Sequence, residues 1–134
     1  MVEHQIQVGE TNPIREPPYR TPYALRQEMK NQVQKIRDKG VIRPSISLWS
    51  APAILVPKKR GQDGKSQYTF CVDFRALNSV MRFDPYTLPL LDKATSSLYG
   101  SKYFSVIDFY SGFWQMGIKE EHKELAGFTV PTGY

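Results

Sequence analysis

The segment Tyr103-Phe-Ser-Val-Ile-Asp108-Phe-Tyr-Ser-Gly-Phe-Trp-Gln115 constrains this chain more than any other. Its first part is apolar and β-branched, the composition of a strand, and it delivers one carboxylate at the C-terminal end of that run. The small, turn-prone pair Ser111-Gly112 follows at once. An aspartate held there by a sheet suits a hard cation, because Mg2+ takes carboxylate oxygens in near-octahedral geometry. A strand-end aspartate can also cap the turn that follows it. Taken alone, the segment favours the capping role, and its surroundings must decide.

At 134 residues the chain fits one modest domain or a part of a larger one. Its 40% hydrophobic and 13% aromatic content is globular. The 18 Lys and Arg against 13 Asp and Glu give a net charge of +5, which suits a polyanion such as nucleic acid and equally suits an ordinary basic domain. A single cysteine, Cys71, excludes an internal disulfide and a multi-cysteine metal site. It falls in an alternating strand pattern and reads as a buried structural thiol. His4 and His122 stand far apart and read as surface residues. No apolar run approaches the ~20 residues of a membrane helix, and the start lacks a signal-peptide pattern. The expectation is an intracellular protein with no membrane partner.

Residues 1–20 read as an extended arm, since Pro13, Pro17 and Pro18 disfavour helix. Thr21-Pro22 then reads as a helix N-cap followed by proline at the first helical position. Leu25, Met29, Val33 and Ile36 recur at helical spacing and Gly40 is a fitting stop, which predicts an amphipathic helix from about 22 to 39. Its charged face carries Arg26, Lys30, Lys35 and Arg37 and reads as solvated rather than as a nucleic-acid contact. Ala53-Ile-Leu-Val56 reads as a buried strand and Asp63-Gly64 as a turn. Tyr68 to Phe74 alternates as a half-buried strand, so that Lys58, Lys59, Arg60 and Lys65 lie at or near the tip of a hairpin. A short helix over 88–98 closed by Gly100, a strand over 103–107, a short helix over 120–125 and the start of a strand at 128–130 complete the reading.

Asn12-Pro-Ile-Arg15 to Pro18-Tyr-Arg20, Gly40-Val-Ile-Arg-Pro-Ser45, Trp49-Ser-Ala-Pro52, Cys71-Val-Asp-Phe-Arg-Ala-Leu-Asn78 and Phe104-Ser-Val-Ile-Asp108 occur in this order. Each is a weak signal. Together they resemble the reverse transcriptases of gypsy-type LTR retrotransposons, over nearly the whole chain. The resemblance implies an α+β chain: an incomplete polymerase right-hand fold with the fingers subdomain and the first palm helix and strand. It divides the chain into an arm (1–20), fingers (21–86), the first part of the palm with the Asp108 motif (87–117), and a return toward the fingers (118–134).

The resemblance also assigns roles. Asp108 is implied as the first of three catalytic aspartates and as a ligand of Mg2+, with the Phe109 carbonyl as a neighbouring ligand. Lys59, Phe113 and Gln115 would face the incoming deoxynucleotide, Phe113 excluding a ribose 2′-hydroxyl by its bulk. Asp73, Arg75 and Asn78 would line the template strand, although Asp73 and Arg75 could instead pair with each other. The implied partners are an RNA or DNA template-primer, a deoxynucleoside triphosphate and the remainder of a Pol polyprotein.

Two features depart from the family. Most relatives have Trp-Arg-Phe-Cys where this chain has Tyr68-Thr69-Phe70-Cys71. A threonine cannot offer a charged fork to triphosphate. The Tyr-x-Asp-Asp tetrad that carries the family's other catalytic aspartates is absent from these residues. The expectation is a segment of an RNA-directed DNA polymerase that is inactive alone, the alternative being a degenerate or co-opted nucleic-acid-binding remnant.

Overall fold

The computed structural model describes residues 3–58, 66–82 and 90–131. Helix α1 spans Tyr23–Asp38 and turns Met29 and Val33 into the core, as the spacing predicts. Its start differs from expectation. Pro22 stands ahead of the helix with ψ 142°, and no side chain caps the first turn. Thr21 is buried instead, and the Pro22 carbonyl accepts the Leu25 N–H at 2.9 Å. The end is a Schellman closure: Gly40, at φ +70°, donates to the Arg37 carbonyl and Val41 donates to that of Ile36.

Strand β1 (Ala51–Pro57) lies at the centre of a small sheet ordered β2-β1-β3. It pairs antiparallel with β2 (Tyr68–Val72), Leu55 opposite Phe70, and parallel with β3 (Phe128–Thr129), Ala51 opposite Phe128. The Lys58 N–H continues the hairpin to the Gln67 carbonyl at 2.7 Å. The basic tip, with Lys59, Arg60, Lys65 and the Asp63-Gly64 turn, lies outside the described residues. The buried part of β1 is Ala51–Ala53, earlier than the apolar run predicts, and Val56 is exposed. Burial follows pairing here, because β3 covers only the first residues of β1.

One core joins α1 to the sheet through Met29, Val33, Ala53, Phe70 and Val130. Phe70 and Phe128 meet edge to face, centroids 5.6 Å apart, a geometry worth about 0.5–1.5 kcal/mol beyond burial. Gln32 ties α1 to the sheet by donating to the Tyr68 carbonyl at 2.9 Å. Cys71 is free and half-buried, less enclosed than expected.

A second core gathers Ile6, Trp49 and Leu77, with Val8, Ile14, Met81, Ile118 and Leu125 packed around them. Leu77 belongs to α2 (Arg75–Val80), a helix the alternation through Phe74 did not announce. The arm is extended, as its prolines require, and it is part of the fold: His4 pairs with Ile118, Val8 with Met81 and Arg15 with Ser50. His122, read as a surface residue, accepts the Ile6 N–H and is 21% exposed. His4 is exposed, as read.

The expected strand over 103–107 is not formed. These residues have no ladder partner among the described residues, and Tyr103, Phe104, Val106 and Ile107 are exposed. A strand exists through hydrogen bonds to a neighbour, and β1, β2 and β3 leave this stretch without one. Of the expected 88–98 helix, α3 (Leu91–Ser96) is formed and buries nothing; Gly100 follows at φ +82°. The expected helix near 120 is a 3₁₀ helix, Glu120–Ala126, held by ion pairs from Glu120 to Arg43 and to Lys123.

Gly127 must be glycine for space rather than dihedral. A Cβ there would stand 2.5 Å from the Trp49 carbonyl oxygen and 3.1 Å from the Ser47 Cβ. Gly127→Ala is expected to destabilise the chain by about 1–3 kcal/mol, while Gly117→Ala, which meets nothing within 4 Å, leaves stability nearly unchanged. Urea unfolding followed by circular dichroism checks the contrast. The bare apolar run has a further consequence, since unpaired edges and large apolar patches associate. Light scattering after size exclusion is expected to show self-association that rises with concentration and is reduced in Val106→Lys.

Candidate functional site

The Asp108 segment is a turn built on one strained residue. Ser111 lies in the left-handed region at φ 52°, which costs a non-glycine residue about 1 kcal/mol or more. Its carbonyl accepts the Trp114 N–H at 2.9 Å, starting the 3₁₀ turn Gly112–Trp114. Gly112 lets the chain fold tightly on Phe109, whose Cβ would be 3.2 Å from an added Cβ. The Gln115 side chain donates to the Tyr110 carbonyl at 2.7 Å and locks the loop. Asp108, Phe109, Phe113 and Gln115 therefore share one compact turn. Asp108 is exposed and enters no ion pair among the described residues. Phe113 is fully exposed.

Asp73, Arg75 and Asn78 form a separate group where β2 gives way to α2. Arg75 grips Asp73 with a fork, Nε at 2.8 Å from Oδ1 and Nη2 at 2.6 Å from Oδ2, and its backbone N–H reaches Oδ1 at 3.2 Å. The local pair that the sequence left open is thus formed. The Tyr19 hydroxyl completes it, donating to Oδ2 at 2.8 Å. Sequence reading missed Tyr19. The signal was there in Pro17 and Pro18, which hold the arm extended and carry the phenol across to Asp73. The Asp73 side chain is 12% exposed and the Arg75 side chain 85% exposed, so the fork points the rest of the guanidinium outward. Asn78 lies one turn further along α2 and is exposed. No hydrogen bond among the described residues joins this group to the Asp108 turn. Lys59 lies outside the described residues, and Thr69 sits on β2 opposite Val56.

The Asp73 carboxyl is held well below the usual carboxylate range, first by the Arg75 side chain and then by the Tyr19 hydroxyl. Arg75 is raised by the same contact, and the Tyr19 phenol is raised by donating to the carboxylate. A carboxyl lowered on folding stabilises above its unfolded pKa, and that stabilisation is lost as pH falls through the folded value. The cluster is therefore intact at neutral pH and fails only in strong acid.

Among the described residues no group of three or more His, Cys, Asp and Glu side chains could hold a metal, and no helix is long and apolar enough to cross a membrane. The donor set at Asp108 is one hard carboxylate beside a backbone carbonyl at Phe109 that accepts no described hydrogen bond. This fits Mg2+ as part of a ligand set and is not a complete site.

No family model matches the sequence. The chain is 35% identical over 132 residues, 98% of its length, to the retrovirus-related Pol polyprotein of transposon opus from Drosophila melanogaster, and covers 13% of that protein. It is 30% identical over 134 residues to the corresponding polyprotein of transposon 412, covering 11% of it. Against the enzymatic polyprotein of Cauliflower mosaic virus, strain NY8153, it is 36% identical over 109 residues, 81% of this chain and 16% of that one. Among solved structures, prototype foamy virus protease-reverse transcriptase matches 98% of this chain and 17% of its own, with TM-score 0.79 and 22% identity. The foamy viral enzyme solved with double-stranded DNA matches with TM-score 0.72 and 21% identity, over 98% of this chain and 26% of that one. The α+β fold is thus that of a partial polymerase.

Titration of the Asp73 carboxyl by carbon-13 NMR tests the cluster. Arg75→Ala is expected to raise its pKa most and Tyr19→Phe less, following the order of the contacts. A larger effect from Tyr19→Phe, or none from either, contradicts that ranking.

Proposed function

We propose, for a chain that is a homologue of the reverse-transcriptase region of retrovirus-related Pol polyproteins, that it forms the fingers and the opening stretch of the palm of an RNA-directed DNA polymerase. The finer placement in the gypsy-type branch belongs to this proposal, as do the divisions at 1–20, 21–86, 87–117 and 118–134. The observation that carries the reading is the Asp108 turn: an exposed carboxylate after an apolar run, backed by a strained and internally locked loop, in a chain similar to Pol polyproteins over nearly its full length. The chain spans about an eighth of those relatives, so the activity belongs to a longer protein.

In that protein Asp108 and the Phe109 carbonyl would hold Mg2+ together with carboxylates from elsewhere. Bound there, a pair of such ions would supply activation of a primer hydroxyl and stabilisation of charge on the transferring phosphate. The chain's own residues position the reactants. Gln115 and Ser111 fix the turn that carries Asp108. Phe113, fully exposed, supplies bulk against a ribose 2′-hydroxyl, and Lys59 supplies a point charge for triphosphate. Arg75, oriented by Asp73, turns its free edge toward a template phosphate, with Asn78 beside it. Thr69 favours the second reading, a nucleic-acid-binding remnant without catalysis, because it puts a neutral hydroxyl where relatives place a charged fork.

The test places residues 1–134 into the aligned segment of the transposon opus polyprotein and measures primer extension with Mg2+. Extension that vanishes in Asp108→Asn supports the polymerase reading. Thr69→Arg is expected to lower the KM for nucleotide about tenfold, since charge-assisted bonds exceed neutral ones by about that factor. A chimera that binds primed template but extends nothing, with or without Thr69→Arg, favours the remnant. The 134-residue chain by itself is expected to extend no primer.

A further inference from the structure

The beginning of the arm is held mainly by backbone. His4 donates to the Gly117 carbonyl at 2.8 Å and accepts from Lys119 at 3.0 Å, and the Gln7 carbonyl accepts from Arg82 at 2.8 Å. Between them a side chain takes over, as the Ile6 N–H donates to Nδ1 of His122 at 3.2 Å across 116 residues of sequence. Ile6 is 4% exposed and is part of the second core.

We propose that His122 is an acid-sensitive latch for the N-terminal arm. An imidazole nitrogen accepts a hydrogen bond only while it carries no proton, and both nitrogens are donors in the charged ring. The contact therefore fixes a neutral ring with its proton on Nε2, which lies 3.7 Å from Glu121 Oε1. Protonation at Nδ1 would set two N–H groups against each other and remove the side-chain acceptor of the Ile6 amide.

The groups around the ring do not rescue the bond. Glu121, the carboxylate beside Nε2, is itself paired to Lys119 at 2.8 Å. Arg82, which follows α2, borders the same cleft with Gln7, Val8 and Leu125 and has no acceptor to offer. On the arm, Glu3 and His4 are exposed. None of these supplies an acceptor to the Ile6 N–H. The arm is latched where His122 is neutral and is released as pH falls.

Amide exchange and ring-nitrogen shifts in the isotope-labelled 134-residue chain, compared at pH 8 and pH 5, test the latch. At pH 8 the nitrogen shifts are expected to report the Nε2–H tautomer. Protection at Ile6, corrected for intrinsic exchange, is expected to fall about fivefold at pH 5, the effect of one net hydrogen bond, while protection at Val33 in α1 holds. His122→Asn, which keeps an acceptor near the Nδ1 position and cannot titrate, is expected to make Ile6 protection independent of pH. The latch is overturned by an Nδ1–H tautomer, by unchanged Ile6 protection in the parent chain, or by an equal fall at Val33, which marks global opening. Persistence of the pH effect in His122→Asn also overturns it, because another group would then be responsible.

Discussion

Strand β1 is what the rest of the molecule hangs on. Both of its edges are used, by β2 along most of its length and by β3 at its start, and the arm extends the pattern through Arg15 and Ser50. Backbone groups in a buried strand must find partners, so the elements that satisfy β1 are the ones brought together in space. This draws residues from the two ends of the chain to one strand. It also explains why Gly127 admits no side chain beside the Trp49 carbonyl. Packing of α1 on one face and of the arm with α2 around Trp49 follows from where β1 places its neighbours.

What the sequence made legible was local. The helical spacing of Leu25, Met29, Val33 and Ile36 and the stop at Gly40 act over a few residues and have their expected form, while the alternation around Phe70 gives a strand that ends at Val72, short of the expected Phe74. What was hidden depends on distant partners. The 103–107 run has strand composition and, among the described residues, no ladder, because composition cannot supply a neighbour. Helix α2 was obscured because Phe74 continues the alternation of β2 just before the chain turns. His122 gave no sign of its partner, since Ile6 contributes only a backbone N–H. Of the candidate site, the Asp108 turn could be anticipated from Ser111-Gly112, whereas the bond from Tyr19 to Asp73 required the arm to be traced in space.

The two groups of candidate residues differ physically. The Tyr19-Asp73-Arg75 cluster is finished: its carboxylate is nearly enclosed, its contacts are met and it needs nothing further to hold its shape. The Asp108 turn is rigid within itself but stands on an unsupported run of exposed aromatic and β-branched residues. A carboxylate positioned that way becomes precise only when the run beneath it is paired. Among the described residues the run has no strand neighbour, and that lack explains the exposed apolar surface.

Hydrogen exchange at residues 103–107 tests this most directly, compared between the 134-residue chain and the same residues within the transposon opus chimera. Amides that exchange freely in the 134-residue chain and become protected in the chimera are the expected result, because the run would then have gained its ladder partner. Protection already present in the 134-residue chain, or absent from both proteins, would contradict the account.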